Sequence, residues 1–188
     1  MSSSSSPIER MNDYKGSSLP SPVIPLSGLA FSVVLPYFIL VITPQGWSSL
    51  NPTESILLFL QTFSLASILF LVEFLFGAKA RGTSKKASFS PAAAQASGVA
   101  PFQIVQSNRI HQNHIESACI YVPAALAAAA AGADARLIVA TAVTWVASRA
   151  LYRMGYCQEN SFWRIFGVAA SINQSLACLG LFLYSKVQ

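Results

Sequence analysis

Charge is scarce in this chain. Asp, Glu, Lys and Arg together make up 10% of its 188 residues, while 53% are hydrophobic. A soluble domain carries about 25% charged residues, so a soluble globular core of this size is excluded. Polar–apolar alternation is also missing. The apolar stretches are long and unbroken, which excludes a transmembrane barrel and leaves helices, whose backbones satisfy themselves in lipid. Cysteine is sparse: Cys119, Cys157 and Cys178 lie in or beside apolar runs, in odd number, so no disulfide framework is expected. The chain has no CxxC pair, no zinc-ligand spacing, no GxxxxGK phosphate loop and no GxGxxG turn. Its formal net charge is +5. The basic residues sit mostly beside the ends of apolar runs, where they set topology, so no nucleic-acid partner is implied.

Residues 1–25 are rich in Ser and Pro and read as a disordered tail. Residues 26–185 form one membrane domain of five apolar segments: Leu26–Thr43, Ser55–Gly77, Phe102–Ala131, Asp134–Gly155 and Phe162–Tyr184. The first is the weakest, short for a span and interrupted by Pro36. Residues 78–101 form a loop carrying Lys79, Arg81, Lys85 and Lys86. Asp134 is the expected N-cap of the segment it opens. Five crossings with a cytosolic N-terminus put ten of the 12 basic residues on the cytosolic side, leaving Arg136 and Lys186 opposite. If the first segment does not cross, the other four keep their sides and only the tail moves.

Two polar clusters interrupt this apolar background. Arg109, Asn113 and Glu116 are spaced i, i+4, i+7 at the start of one run, and share a helix face. Arg149, Tyr152, Arg153 and Tyr156 are spaced i, i+3, i+4, i+7 at the end of the next. Polar groups at membrane depth are costly and usually face a bundle interior or a cavity. The two faces therefore predict a shared pocket for a charged, hydrogen-bonding ligand. Alternative readings stand beside this one. Arg109 and Glu116 can form a structural ion pair. Arg149 and Arg153 can be interfacial anchors whose stems lie along apolar surface, a reading that fits Arg153 best. The tyrosines can form an ordinary aromatic belt. His111 and His114, at i, i+3, can ligate a metal but lack a third ligand. Glu73 can pair with a basic group or join a proton path. A solute transporter using Glu73 and Glu116 lacks the expected repeats or broken helices.

The motif Arg109-x-His111-Gln112-Asn113-x-x-Glu116, opening one run, is followed by Arg149-x-x-Tyr152-x-x-Gly155-Tyr156 closing the next. Together they resemble the MAPEG family, the membrane-associated proteins in eicosanoid and glutathione metabolism. The likeness covers about residues 55–185. It implies an all-α, polytopic four-helix membrane bundle, here with an extra N-terminal hydrophobic segment. It also implies a homotrimer in an endomembrane such as the endoplasmic reticulum, with glutathione as co-substrate and no metal. By that resemblance Arg109, Asn113, Glu116, Arg149, Tyr152 and Tyr156 bind glutathione. Arg164, fifteen residues past Arg149, lies about where the family places an arginine near the glutathione sulfur. Arg164 is thus the first candidate for thiolate stabilisation and Arg149 the second. Leukotriene-C synthase-like members have a tyrosine directly after the motif glutamate, whereas this chain has Ser117. The resemblance implies transferase or peroxidase activity on a lipophilic electrophile arriving from the bilayer. The alternative is a non-catalytic lipid-binding scaffold of the same fold.

Overall fold

The computed structural model describes residues 23–83, 102–158 and 160–187. Five α-helices account for nearly all of it: α1 (Val23–Ile42), α2 (Pro52–Thr83), α3 (Phe102–Ala130), α4 (Ala135–Cys157) and α5 (Ser161–Ser185). A short 3-10 turn, Gln45–Ser49, links α1 to α2. No strand occurs among the described residues.

The helix ends follow local chemistry. Pro52 opens α2, where its missing N–H is one of the unpartnered donors anyway. Ahead of it, Asn51 Oδ1 accepts from the Glu54 N–H at 2.9 Å, and Glu54 Oε2 accepts from the Asn51 N–H at 3.0 Å. This reciprocal box satisfies two donors at once. Gly132, at φ 83°, stops α3 in the left-handed region that favours glycine. Asp134 then caps α4 by accepting from the Arg136 N–H at 2.9 Å, as its position predicts. Asn160 caps α5 through the Phe162 N–H.

Two helix bounds differ from the hydropathy reading. α2 continues to Thr83, through Lys79 and Arg81, instead of stopping at Gly77. Ala, Lys and Arg are good helix formers, so polarity ends the apolar run without ending the helix. α1 starts at Val23, because Pro25 falls in its first turn, where a proline is tolerated. The expected tail through residue 22 and the rest of the expected loop, with Lys85 and Lys86, lie outside the described residues. So does the Glu73 side chain.

Helices α2, α3, α5 and α4 form a four-helix bundle in which α2 flanks α3, α3 flanks α5, α5 flanks α4, and α4 returns to α2. α1 lies in the outer groove between α4 and α5. The core is aromatic and alanine-rich. Tyr121 stacks on Trp145 at 5.3 Å, and Phe63 meets the same indole at 5.4 Å. Ala125, Ala128 and Ala129 are fully buried on α3, where small side chains let neighbouring helices approach. The outward faces are apolar too: Leu26, Val33, Phe38, Leu57, Ile68, Leu176 and Leu183 are all exposed. A helix that is apolar all round belongs in lipid or in a large core. Pro52–Val72 and Phe162–Ser185 are each long and apolar enough to cross a bilayer. At one end, Arg136 Nη1 donates to Gln45 Oε1 at 2.6 Å, so the α1–α2 link and the start of α4 share that end.

Candidate functional site

The site begins with two glycines. A Cβ on Gly167 would lie 2.6 Å from the Ser148 carbonyl oxygen and 2.7 Å from Tyr152 N. On Gly155 it would lie 2.5 Å from Arg164 N. Real Cβ contacts do not come this close, so α4 and α5 meet at a separation that only glycine allows at these positions. This close crossing sets the polar end of α4 against the first turns of α5.

Arg149 lies at the centre and is 1% exposed. Its Nη2 donates to Asn113 Oδ1 on α3 at 2.6 Å, and its Nη1 donates to Ser171 Oγ on α5 at 3.2 Å. Its guanidinium carbon stands 4.3 Å from the centroid of the Tyr152 ring. Among the described residues Arg149 Nε has no hydrogen-bond partner, and no carboxylate pairs with the side chain. The contacts then continue toward the helix ends. Tyr152 and Tyr156 rings are 5.0 Å apart. Arg164 lies 4.1 Å above the Tyr156 ring, and its Nη2 donates to the Tyr156 hydroxyl at 3.3 Å. Gln106 Nε2 donates to the Tyr156 carbonyl, tying the start of α3 to the end of α4. Asn113, Arg149, Tyr152, Tyr156 and Arg164 are thus brought into one continuous array.

A cavity of about 270 Å³ opens between α3 and α5 in front of Arg149. Asn113, Glu116, Ser117 and Ser171 line its polar part. Ile120, Ile172 and Leu176 wall the part nearer the middle of the helices. Glu116 is exposed at the cavity, and its Oε1 accepts from Gln112 at 2.9 Å. Arg109, one turn before Asn113, is exposed and is not among the lining residues. It does not pair with Glu116, so the structural ion-pair reading is not realised in this chain. The single stripe of Arg109, Asn113 and Glu116 therefore divides: Asn113 bonds to Arg149, Glu116 lines the cavity, and Arg109 does not line it.

Two site residues are not visible in the sequence pattern. Ser171 lies in the last run, outside both polar clusters, yet it accepts from Arg149. Ser117 lines the cavity, and its hydroxyl accepts from Trp145 Nε1 at 3.2 Å. His114 is 1% exposed, with its ring 5.9 Å from both Phe70 and Tyr152. Among the described residues no three His, Cys, Asp or Glu side chains come together as a metal-binding group.

An all-helical bundle with apolar outer faces and a buried cation at one end defines a helical membrane protein. The chain belongs to the MAPEG family, which it matches over residues 53–185. No curated protein and no solved structure matches it.

Proposed function

We propose that this protein binds glutathione at the Arg149 cavity and conjugates or reduces lipophilic electrophiles with it. The observation that supports this most is the unneutralised Arg149 guanidinium. It is buried, its hydrogen-bond partners among the described residues are neutral, and it opens on a cavity. Arginine stays protonated in proteins, and a buried charge without an opposite charge is costly. An anionic ligand in the cavity relieves that cost, and a carboxylate suits the guanidinium fork. In this reading Glu116, which lines the cavity, receives the ligand's amine, and Asn113 serves donors or acceptors.

The thiol must ionise before it attacks, and a free cysteine thiol has a pKa of about 8.5. A guanidinium near the sulfur favours the thiolate. In this reading Arg164, stacked on Tyr156, supplies that charge. The thiol proton leaves to solvent, and the sulfur's electron pair forms a bond to the electrophilic carbon. The electron pair of the broken bond leaves with the departing group. The apolar walls of Ile120, Ile172 and Leu176 accept the lipophilic part of the electrophile from the bilayer. We further propose a multi-pass, homotrimeric protein with the Arg149 end at the cytosolic face.

Those same walls favour a second reading, a lipid-binding scaffold whose anionic headgroup pairs with Arg149 and whose chain follows the groove. Calorimetric titration of glutathione into the purified protein, followed by a fatty-acid competitor, separates the two. Binding with turnover of a model electrophile supports the enzyme. Fatty-acid binding without glutathione binding supports the scaffold.

A further inference from the structure

α1 lies outside the stretch that matches the family. Its seat against the bundle is nevertheless specific. A proline within a helix cannot donate to the carbonyl four residues earlier. Pro36 therefore leaves the Ser32 carbonyl without its helical donor. In lipid, neighbouring helices must satisfy such a freed group. Gln174 does so: its Nε2 donates to the Ser32 carbonyl oxygen at 3.1 Å. Gln174 is 1% exposed and its Oε1 has no partner among the described residues, so this bond is the tie its amide makes in the bundle. Next to it, Asn173 Nδ2 donates to Ser32 Oγ at 3.1 Å, while that hydroxyl donates to the Leu29 carbonyl. One turn earlier on α1, Gly28 permits close approach. A Cβ there would lie 3.1 Å from the Phe166 carbonyl oxygen and 3.2 Å from Ala169 Cβ.

The segment so held is the one that serves Arg149. Ser171, which accepts from Arg149, lies three residues before Gln174. Ser175 Oγ donates back to the Ser171 carbonyl. Without α1, the Asn173 and Gln174 amides would face lipid in the middle of a candidate span, at a cost that favours rotation or bending of α5.

We propose that α1 is a positioning helix for the Arg149 site, keyed to α5 by the carbonyl that Pro36 frees on Ser32 and the Gln174 amide that takes it. Three residue types at three places make the key, and none of them touches the cavity.

The key predicts non-additivity. Full-length protein carries cysteines at Phe31 and Phe166, whose rings lie 5.1 Å apart across the α1–α5 contact, with Cys119, Cys157 and Cys178 replaced by serine, and the rate of cross-linking by an oxidant or a short bismaleimide reads α1 docking. Gln174→Leu slows cross-linking by about three- to twentyfold, the range of interhelical hydrogen bonds in membranes. In a Pro36→Ala background the same substitution has at least a threefold smaller effect, because the backbone N–H regained at that position now serves the Ser32 carbonyl. Equal effects in both backgrounds overturn the key. The site is read with S-methylglutathione, which has no thiol to reduce the cross-link. Gln174→Leu weakens its binding several-fold, and locking α1 by the cross-link restores it. Loss of affinity that the lock does not restore overturns the positioning role. If the unmodified protein does not bind S-methylglutathione, the proposed ligand falls, and the cross-linking comparison still decides the key. Gln174→Met, closer in volume, repeats the comparison where Gln174→Leu does not fold.

Discussion

Arg149 and Asn113 stand 36 positions apart in the chain, yet a 2.6 Å hydrogen bond joins them across two helices. The bond links the two polar clusters of the sequence and places a buried cation at a cavity wall. Among the described residues Arg149 has two neutral hydrogen-bond partners, a ring face and an unpartnered Nε. Charge-assisted hydrogen bonds contribute about 1.5–3 kcal/mol. Arg149→Ala should therefore weaken glutathione binding about ten- to hundredfold, as measured by calorimetry in detergent. Arg153→Ala, if Arg153 is an interfacial anchor, should leave the affinity within about twofold.

Arg164→Ala should give a different signature. If Arg164 stabilises the thiolate, glutathione still binds, but the bound thiol's pKa moves up toward the free value of about 8.5. Ultraviolet absorbance of the thiolate across a pH titration follows this shift. A parallel loss of affinity, with no change in the thiol's titration, would assign Arg164 to binding.

The end of the bundle opposite the site carries its own pH-dependent contact. Burial disfavours the Asp134 carboxylate, but hydrogen bonds from the Arg136 side chain and backbone outweigh it and hold the pKa below the ordinary carboxylate value. A depressed folded-state pKa stabilises the fold above the unfolded value, and that contribution is lost as pH falls through the folded value. Asp134→Asn should lower the thermal midpoint at pH 7, with the difference from the unmodified protein shrinking below about pH 4. A difference that persists unchanged at lower pH would mean that Asp134 acts as a cap without its charge.

Sidedness and assembly are separately testable. Cysteines placed at Ser48 and Ser84 should label from opposite sides of sealed vesicles, because α2 separates them. Labelling from one side would mean that α2 does not cross. Native mass spectrometry in mild detergent should return the mass of three chains, and a stable monomer or dimer would contradict the trimer.

Much of the fold was legible because hydropathy reports lipid contact directly. Each expected apolar run became a helix, and the Asp134 cap formed where a short side chain precedes α4. The end of α2 was not legible, because Lys79 and Arg81 stop apolar contact but favour helix. At the site, the i, i+4, i+7 rule put Arg109, Asn113 and Glu116 on one face but could not assign their neighbours. A helix face is wide, and of the three Asn113 is the one that hydrogen-bonds to α4 among the described residues. Ser171 and the pairing of Ser32 with Gln174 escaped for a related reason. Serine and glutamine in an apolar run carry no periodic signal, and the latter contact spans 142 positions.

The central claim is that the unneutralised Arg149 receives an anionic group of glutathione, and the most direct test is a calorimetric titration of the purified protein at two ionic strengths with Arg149→Ala alongside. The account predicts saturable binding by the unmodified protein and about ten- to hundredfold weaker binding by the variant. Because the site is buried, that difference should largely persist at higher salt. Absence of glutathione binding, or equal affinity in the two proteins, would contradict the account.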